Sequence, residues 1–334
     1  MMAPIGALLM TASVPKGRSF PMAVYTDVSP AALQGFLDGY AIGDPVRLTG
    51  ILQGIENSNF ILETTGGKYV LTVFERRAAR EDLPYFLGLM AHLAGNGFPA
   101  PAPITANNGT VLGEIAGKPA AVVSFLDGDW PHDPSPEDAH EAGRALAQLH
   151  LTAADFPMVR TNTLGADTWQ ALYDASAPSA DTVEHGLGAE IEQRLSVILA
   201  HWPKDLPSGA IHADLFPDNM FLQNGLLSGV IDYYFACTDA YAYDLAITLN
   251  AWCFDGDNRW SVAHSTGMLA GYQSVRPLNA AEQAAMPILL QGAAMRFLLT
   301  RLYDWLNPRE DALATPKDPL QQRDQLRWHQ DHTL

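Results

Sequence analysis

Strand-type and helix-type patterning are separated along this chain, and that separation limits the fold more than any other feature. Apolar alternation dominates from about 46 to 74, where "FILETTGGKYVLTVF" is two β-rich runs meeting at Gly66-Gly67, the signature of a hairpin. A second hairpin is expected at Gly117-Lys118, with "PAAVVSFL" as a buried strand. One helix lies between the hairpins: Phe86, Leu87, Met90, Leu93 and Ala94 keep the helical period, and Asn96-Gly97 ends it. After "DGDWPHDP" helical periodicity takes over, at 136–151 and about 188–202, 240–254, 262–273 and 280–306. The expected fold class is α+β, with a small β-rich N-lobe over residues 22–126, a larger helical C-lobe over 127–334, and a cleft between them.

A chain of 334 residues can bury a large core, and its formal net charge of -17 argues against nucleic acid as a partner. An acidic protein that handles a phosphate-rich ligand needs metal cations and local donors to offset its own field. Two cysteines, Cys237 and Cys253, make no disulfide framework and point to a reducing cytoplasm. Residues 1–21 lack the positively charged start of a signal peptide, and their apolar run is too short to span a membrane. They are expected to be a disordered extension. Met22 opens a cleaner beginning, with Ser29-Pro30 as helix N-cap and first turn.

Between the helical stretches, residues 209–234 read as strand–loop–strand, and "AIHADLFPDNMF" sets a histidine, two aspartates and an asparagine among apolar neighbours. Pro217-Asp218-Asn219 is turn chemistry. His212, Asp214 and Asn219 also fit H-x-D-x4-N, the catalytic-loop spacing of kinases, in which Asp receives the acceptor hydroxyl's proton and Asn holds a metal ion. A hairpin from Met220 through Gly225 to Ile231 would bring Asp232 beside Asn219, two oxygen ligands for Mg2+. In the N-lobe, "LQGIENSNFIL" places Gly54, Asn57 and Ser58 between strands as a phosphate cradle. Ser124 and Leu126 end the last strand, where a hinge would meet an adenine edge. His150 and Asp244, on helices, read as supports of the loop, as does His212.

"VVSFLDG", "GRALAQLH", "IHADLFPDN", "VIDYYFA" and "YDLA", in this order, resemble the aminoglycoside phosphotransferase and choline kinase superfamily. More narrowly, "ENSNF", "YFACTDAYAYDLAITLNAWCF" and "RFLLTRLYDWL" resemble the bacterial homoserine kinases within it, and the likeness runs from about Met22 to His329. The resemblance implies a two-lobed protein-kinase-like fold and ATP-dependent phosphorylation of L-homoserine, a step of threonine biosynthesis. It carries Asp214 over as catalytic base, Asn219 and Asp232 as Mg2+ ligands, and Ser124 and Leu126 as hinge contacts. Other acceptors on the same machinery are choline, an aminoglycoside or a sugar amine; a different class is a nucleotide-binding pseudokinase.

One departure bears on chemistry. Kinases of this fold carry a cation on the third strand, paired to a helix Glu. Here Thr72 occupies that position in "KYVLTVFERR", the following helix has no Glu, and Arg76 shares the face of Thr72. An acceptor with a carboxylate and an ammonium group needs a cationic fork and an acid, for which "MRFLLTRLYDWL" offers Arg296, Arg301 and Asp304. Helical spacing puts Arg296 over Thr300 and Arg301 over Asp304, the latter pair also readable as a surface ion pair.

Overall fold

The computed structural model describes residues 26–51, 57–75, 79–308 and 316–332. The extension over 1–21, Gly54 and Arg76 lie outside the described residues. Helix α1 (Pro30–Leu37) starts as its sequence indicates, with the Ser29 hydroxyl accepting from the Ala32 N–H and proline in the first turn. Strands β1 (Pro45–Gly50), β2 (Asn57–Thr64) and β3 (Gly67–Phe74) precede helix α2 (Leu83–Gly95), and β4 (Gly113–Ile115) and β5 (Lys118–Ser124) follow it. They form one antiparallel sheet in the order β1-β2-β3-β5-β4. Thr64 pairs with Gly67, so the first hairpin turns at Thr65-Gly66, one residue earlier than expected. The second turns at Ala116-Gly117, both at positive φ (51° and 74°), the geometry that matches strand twist.

Alternation gives the sheet two different faces. Phe60, Leu62, Leu71 and Val73 pack with Leu33 and Leu37 of α1 into a small core of the N-lobe. Phe74 and Ala121 face the other way and join the large core, to which Leu83, Phe86, Leu87, Met90 and Leu93 of α2 also belong. Helix α2 thus packs with the C-lobe core.

In the C-lobe, α3 (Pro136–Thr152), α4 (Trp169–Ala180), α5 (Leu187–Ala200), α6 (Tyr241–Cys253), α7 (Val262–Val275), α8 (Ala280–Leu306) and α9 (Pro319–Asp331) surround two short ribbons. These pair β6 (Ser208–Ile211) with β9 (Cys237–Ala240), and β7 (Met220–Gln223) with β8 (Leu226–Val230). Helices α3 and α7 cross closely because a Cβ at Gly271 would fall 1.9 Å from the His140 carbonyl oxygen. Helix α8 is buried along most of its length and forms the spine of the lobe. Helices α4 and α9 were not legible in the sequence. Among the described residues no helix is long and apolar enough to cross a membrane. The hairpin β7–β8 is tied to the N-lobe where Val230 N–H donates to Pro99 O (2.9 Å), and to the connector after it where Leu222 N–H donates to Asp129 O (2.9 Å).

Candidate active site

Strand β6 carries the chain into the core and ends at Ile211, after which His212, Ala213 and Asp214 turn toward the cleft. Ala213 sits at φ 62°, a left-handed conformation that costs a non-glycine residue about 1 kcal/mol. Asp244, fully buried in the first turn of α6, holds it there. Its Oδ1 accepts from Ala213 N–H (2.8 Å), and its Oδ2 accepts from His212 N–H (2.8 Å) and His150 Nε2 (3.0 Å). Burial alone would raise the Asp244 pKa; the His150 hydrogen bond, the two histidines and the backbone donors outweigh it and hold the group ionised.

Burial keeps His150 and His212 neutral, their pKa values below the ordinary histidine range. Asp214 N–H donates to His212 Nδ1 (3.2 Å), so the ring proton is on Nε2, which donates to Ile231 O (2.9 Å). Behind the loop, His150 Nδ1 accepts from the Tyr272 hydroxyl (2.9 Å), which takes a hydrogen bond from Arg276 (3.1 Å). All three residues read as supports therefore act on the backbone that aims Asp214.

The hairpin β7–β8 places the expected metal ligands side by side. Met220 pairs with Val230, and Ile231 N–H donates to Asn219 O (3.0 Å), so Asn219 and Asp232 flank the open end. Asn219 Nδ2 donates to Asp214 O (2.9 Å), which turns the amide so that Oδ1 is its acceptor end away from the loop. Asp232 has φ 66° and ψ 61°, a second left-handed non-glycine residue in the site. One amide oxygen and one carboxylate are hard oxygen donors suited to a divalent cation. The buried Glu141 of α3 steadies the hairpin by accepting from Leu227 N–H (2.8 Å) next to its bulge.

Asp214 lies in the wall of a cavity of about 450 Å3, which Asp82, Arg160, Tyr234, Arg296, Thr300 and Asp304 also line. Arg296 and Asp304 are therefore together as expected. Arg301 is not among the residues lining this wall and its Nη1 donates to Gln321 of α9 (2.9 Å), yet it stays near Asp214: burial lowers its pKa, and the Asp214 charge opposes that shift. The reason is helical geometry. Residues 296, 300 and 304 rise along one stripe, whereas residue 301 is rotated about 140° from residue 296. Tyr234, Arg160 and Asp82 were missed; the stretch around Arg160 carries no periodic signal, and its Nη2 reaches Asp82 Oδ2 (2.6 Å) only through the fold.

In the N-lobe, Ser58 departs from the expected cradle. Strand β2 begins at Asn57, so alternation puts Ser58 on the face opposite Thr72, 2% exposed. Its hydroxyl donates to Glu75 Oε1 (2.8 Å) and accepts from Thr26 N–H (3.1 Å), in a cluster with Lys118. Asn57 lies on the cleft face, with its Oδ1 accepting from Glu75 N–H (3.3 Å). On the same face the Thr72 hydroxyl donates to Asn59 Oδ1 (2.8 Å), so a neutral pair stands where the strand cation was missed. Ser124 donates its N–H to Ala102 O and its hydroxyl accepts from Ala102 N–H (2.8 Å each), while the Leu126 side chain packs on Gly229 of β8.

A family model, the phosphotransferase enzyme family, matches residues 47–278. Along nearly its whole length the chain is similar to homoserine kinases. It is 54% identical over 309 residues to that of Xanthobacter autotrophicus, covering 92% of this chain and 96% of the other. The chain belongs to the homoserine kinases of the phosphotransferase enzyme family. The homoserine kinase of Agrobacterium fabrum is 50% identical over 308 residues, again covering 92% of this chain and 96% of the other. Among solved structures, an amicoumacin kinase in complex with AMP-PNP and Ca2+ shares the fold, with a TM-score of 0.68 at 16% identity over 90% of this chain and 91% of that one.

Proposed function

We infer that this homoserine kinase transfers the γ-phosphoryl group of ATP to the side-chain hydroxyl of L-homoserine, with Asp214 as the base. The observation that carries the reading is that Asp214, on a loop locked by Asp244 and His212, opens into the acceptor-sized cavity beside the Asn219/Asp232 hairpin. The cavity orients the hydroxyl toward Asp214, which takes its proton as the oxygen bonds to phosphorus and the bond to ADP breaks. Asn219 and Asp232 would hold a divalent cation, Mg2+ in our reading, which neutralises phosphate charge when bound. A kinase of the same fold was solved with AMP-PNP and Ca2+, which supports a nucleotide and a divalent cation as ligands. Residues 26–126 form the nucleotide lobe in this reading, with Asn57, Ser124 and Leu126 facing the base and phosphates. A cytoplasmic location is part of it too, in keeping with two buried free cysteines.

The test is coupled ADP release with homoserine, serine, choline and kanamycin side by side. Homoserine should be preferred by at least 10²-fold in kcat/KM. Asp214→Asn should lower kcat by about 10²-fold or more while leaving ATP affinity within twofold. Near-full turnover by that variant, or equal use of all four acceptors, would refute the reading.

A further inference from the structure

Helix α8 buries a charge that no ion pair among the described residues balances. Arg296 is 2% exposed, and a guanidinium keeps its charge and offers five N–H donors wherever it is placed. Its Nη1 donates to Ala213 O (2.6 Å). Its Nε is buried with no hydrogen-bond partner, and among the described residues no carboxylate lies within ion-pair distance of it. The rings of Phe297 and Phe235, with centroids 4.6 and 5.7 Å from the guanidinium carbon, give it cation–π contact but no counter-charge. Other well-covered arginines of the C-lobe do have one: Arg160 has Asp82 (2.6 Å), Arg276 has Glu282 (2.7 Å) and Arg323 has Asp324 (2.7 Å). An unbalanced buried charge is expensive, and it persists in a fold when a ligand completes it.

We propose that Arg296 receives the α-carboxylate of the amino-acid acceptor on its Nε/Nη2 edge, while Nη1 keeps hold of the backbone one residue before Asp214. This rests on reading the cavity as the acceptor site. The Nε/Nη2 edge is the side-on fork of a guanidinium and matches two carboxylate oxygens. Arg296 lines the cavity with Asp214 and with Thr300, whose hydroxyl donates back to Arg296 O (3.1 Å). Arg160, the other arginine of the wall, is already neutralised by Asp82 and donates to Ala236 O (3.2 Å). Because Arg296 and Asp214 are joined through Ala213, the anchor for the carboxylate and the base for the hydroxyl keep a fixed separation. An acceptor must span it: homoserine has the extra methylene that serine lacks.

The experiment compares L-homoserine with L-homoserine amide, at saturating MgATP, in the wild type, Arg296→Gln and Arg296→Lys. The wild type should prefer the acid by about 10²-fold in kcat/KM, the loss expected when a charged hydrogen-bonding group goes unpaired. Arg296→Gln should lower turnover of both acceptors through the lost hydrogen bond to Ala213 O, and should lower kcat/KM on the acid by about 10²-fold more than on the amide, so that its preference collapses toward one. Arg296→Lys, which keeps the charge without the fork, should retain a small part of the preference and carries the comparison if the glutamine variant does not fold. MgATP dissociation constants should stay within twofold throughout. A preference of about 10²-fold persisting in both variants would place the carboxylate elsewhere and overturn the proposal, as would a wild type indifferent to acid and amide. A wild type inactive on homoserine but active on another acceptor would instead sink the function proposed above.

Discussion

Replacing Asp244 tests the central claim about the catalytic loop. Its two carboxylate oxygens take three buried donors, two of them backbone N–H groups of the loop itself. In Asp244→Asn the amide oxygen can keep the two donors now on Oδ2, but its NH2 then faces the Ala213 N–H, donor against donor. One orphaned buried N–H costs about 1–3 kcal/mol, and the two surviving bonds lose their charge assistance, for a total of about 3–4 kcal/mol. Asp244→Ala orphans all three donors and should cost about 3–9 kcal/mol, a large part of a typical folding free energy. The functional effect follows from Ala213. Without its clamp the residue relaxes out of the left-handed region, recovering about 1 kcal/mol and swinging Asp214 off line. Denaturant midpoints should show the stability loss, and ADP release should show kcat of Asp244→Asn down at least tenfold with the ATP KM nearly unchanged. If Asp244→Asn stays within about 0.5 kcal/mol of the wild type, the size expected of a neutral surface change, and turns over at full rate, the account of the loop is wrong.

Activity should vanish with excess chelator and return with Mg2+, and in part with Mn2+; Asp232→Ala should weaken metal–nucleotide binding as well as turnover, and chelator-resistant activity would reject the ligand assignment. Ser58→Ala should leave the ATP KM within twofold while costing about 1 kcal/mol of stability, because its hydroxyl serves the Glu75 cluster and not the cleft. His329 is buried against Asn250 (2.7 Å) with its pKa pushed down to about 4, so the unfolded chain binds the proton first. Its contribution is whole above the unfolded value near 6.5 and is lost as pH falls toward 4, about 3 kcal/mol in all. Buried His150 and His212 shift in the same direction, and urea midpoints that do not fall between pH 7 and 4.5 would contradict this.

Short-range spacing determined a good deal by itself. H-x-D-x4-N and the strand leading to Asp232 were enough to bring Asp214, Asn219 and Asp232 together, because a hairpin fixes which residues meet at its open end. Helices with an apolar stripe were legible, and so was the partition into lobes. Helix α9 was not: its buried side chains include Gln322, Arg323, Gln325 and His329, so there is no apolar period to see. Helix α4 is broken in appearance by Pro178. The strand start at Asn57 decided which face Ser58 takes, since a shift of one residue moves a side chain through the sheet. Only the tertiary structure could set the Asp244 carboxylate on the amides of residues 212 and 213, or bring Arg296 to the carbonyl of Ala213 across 83 positions. Those contacts depend on how α6 and α8 pack against the loop, and a sequence pattern records the spacing of neighbours along one element, not the distance between elements.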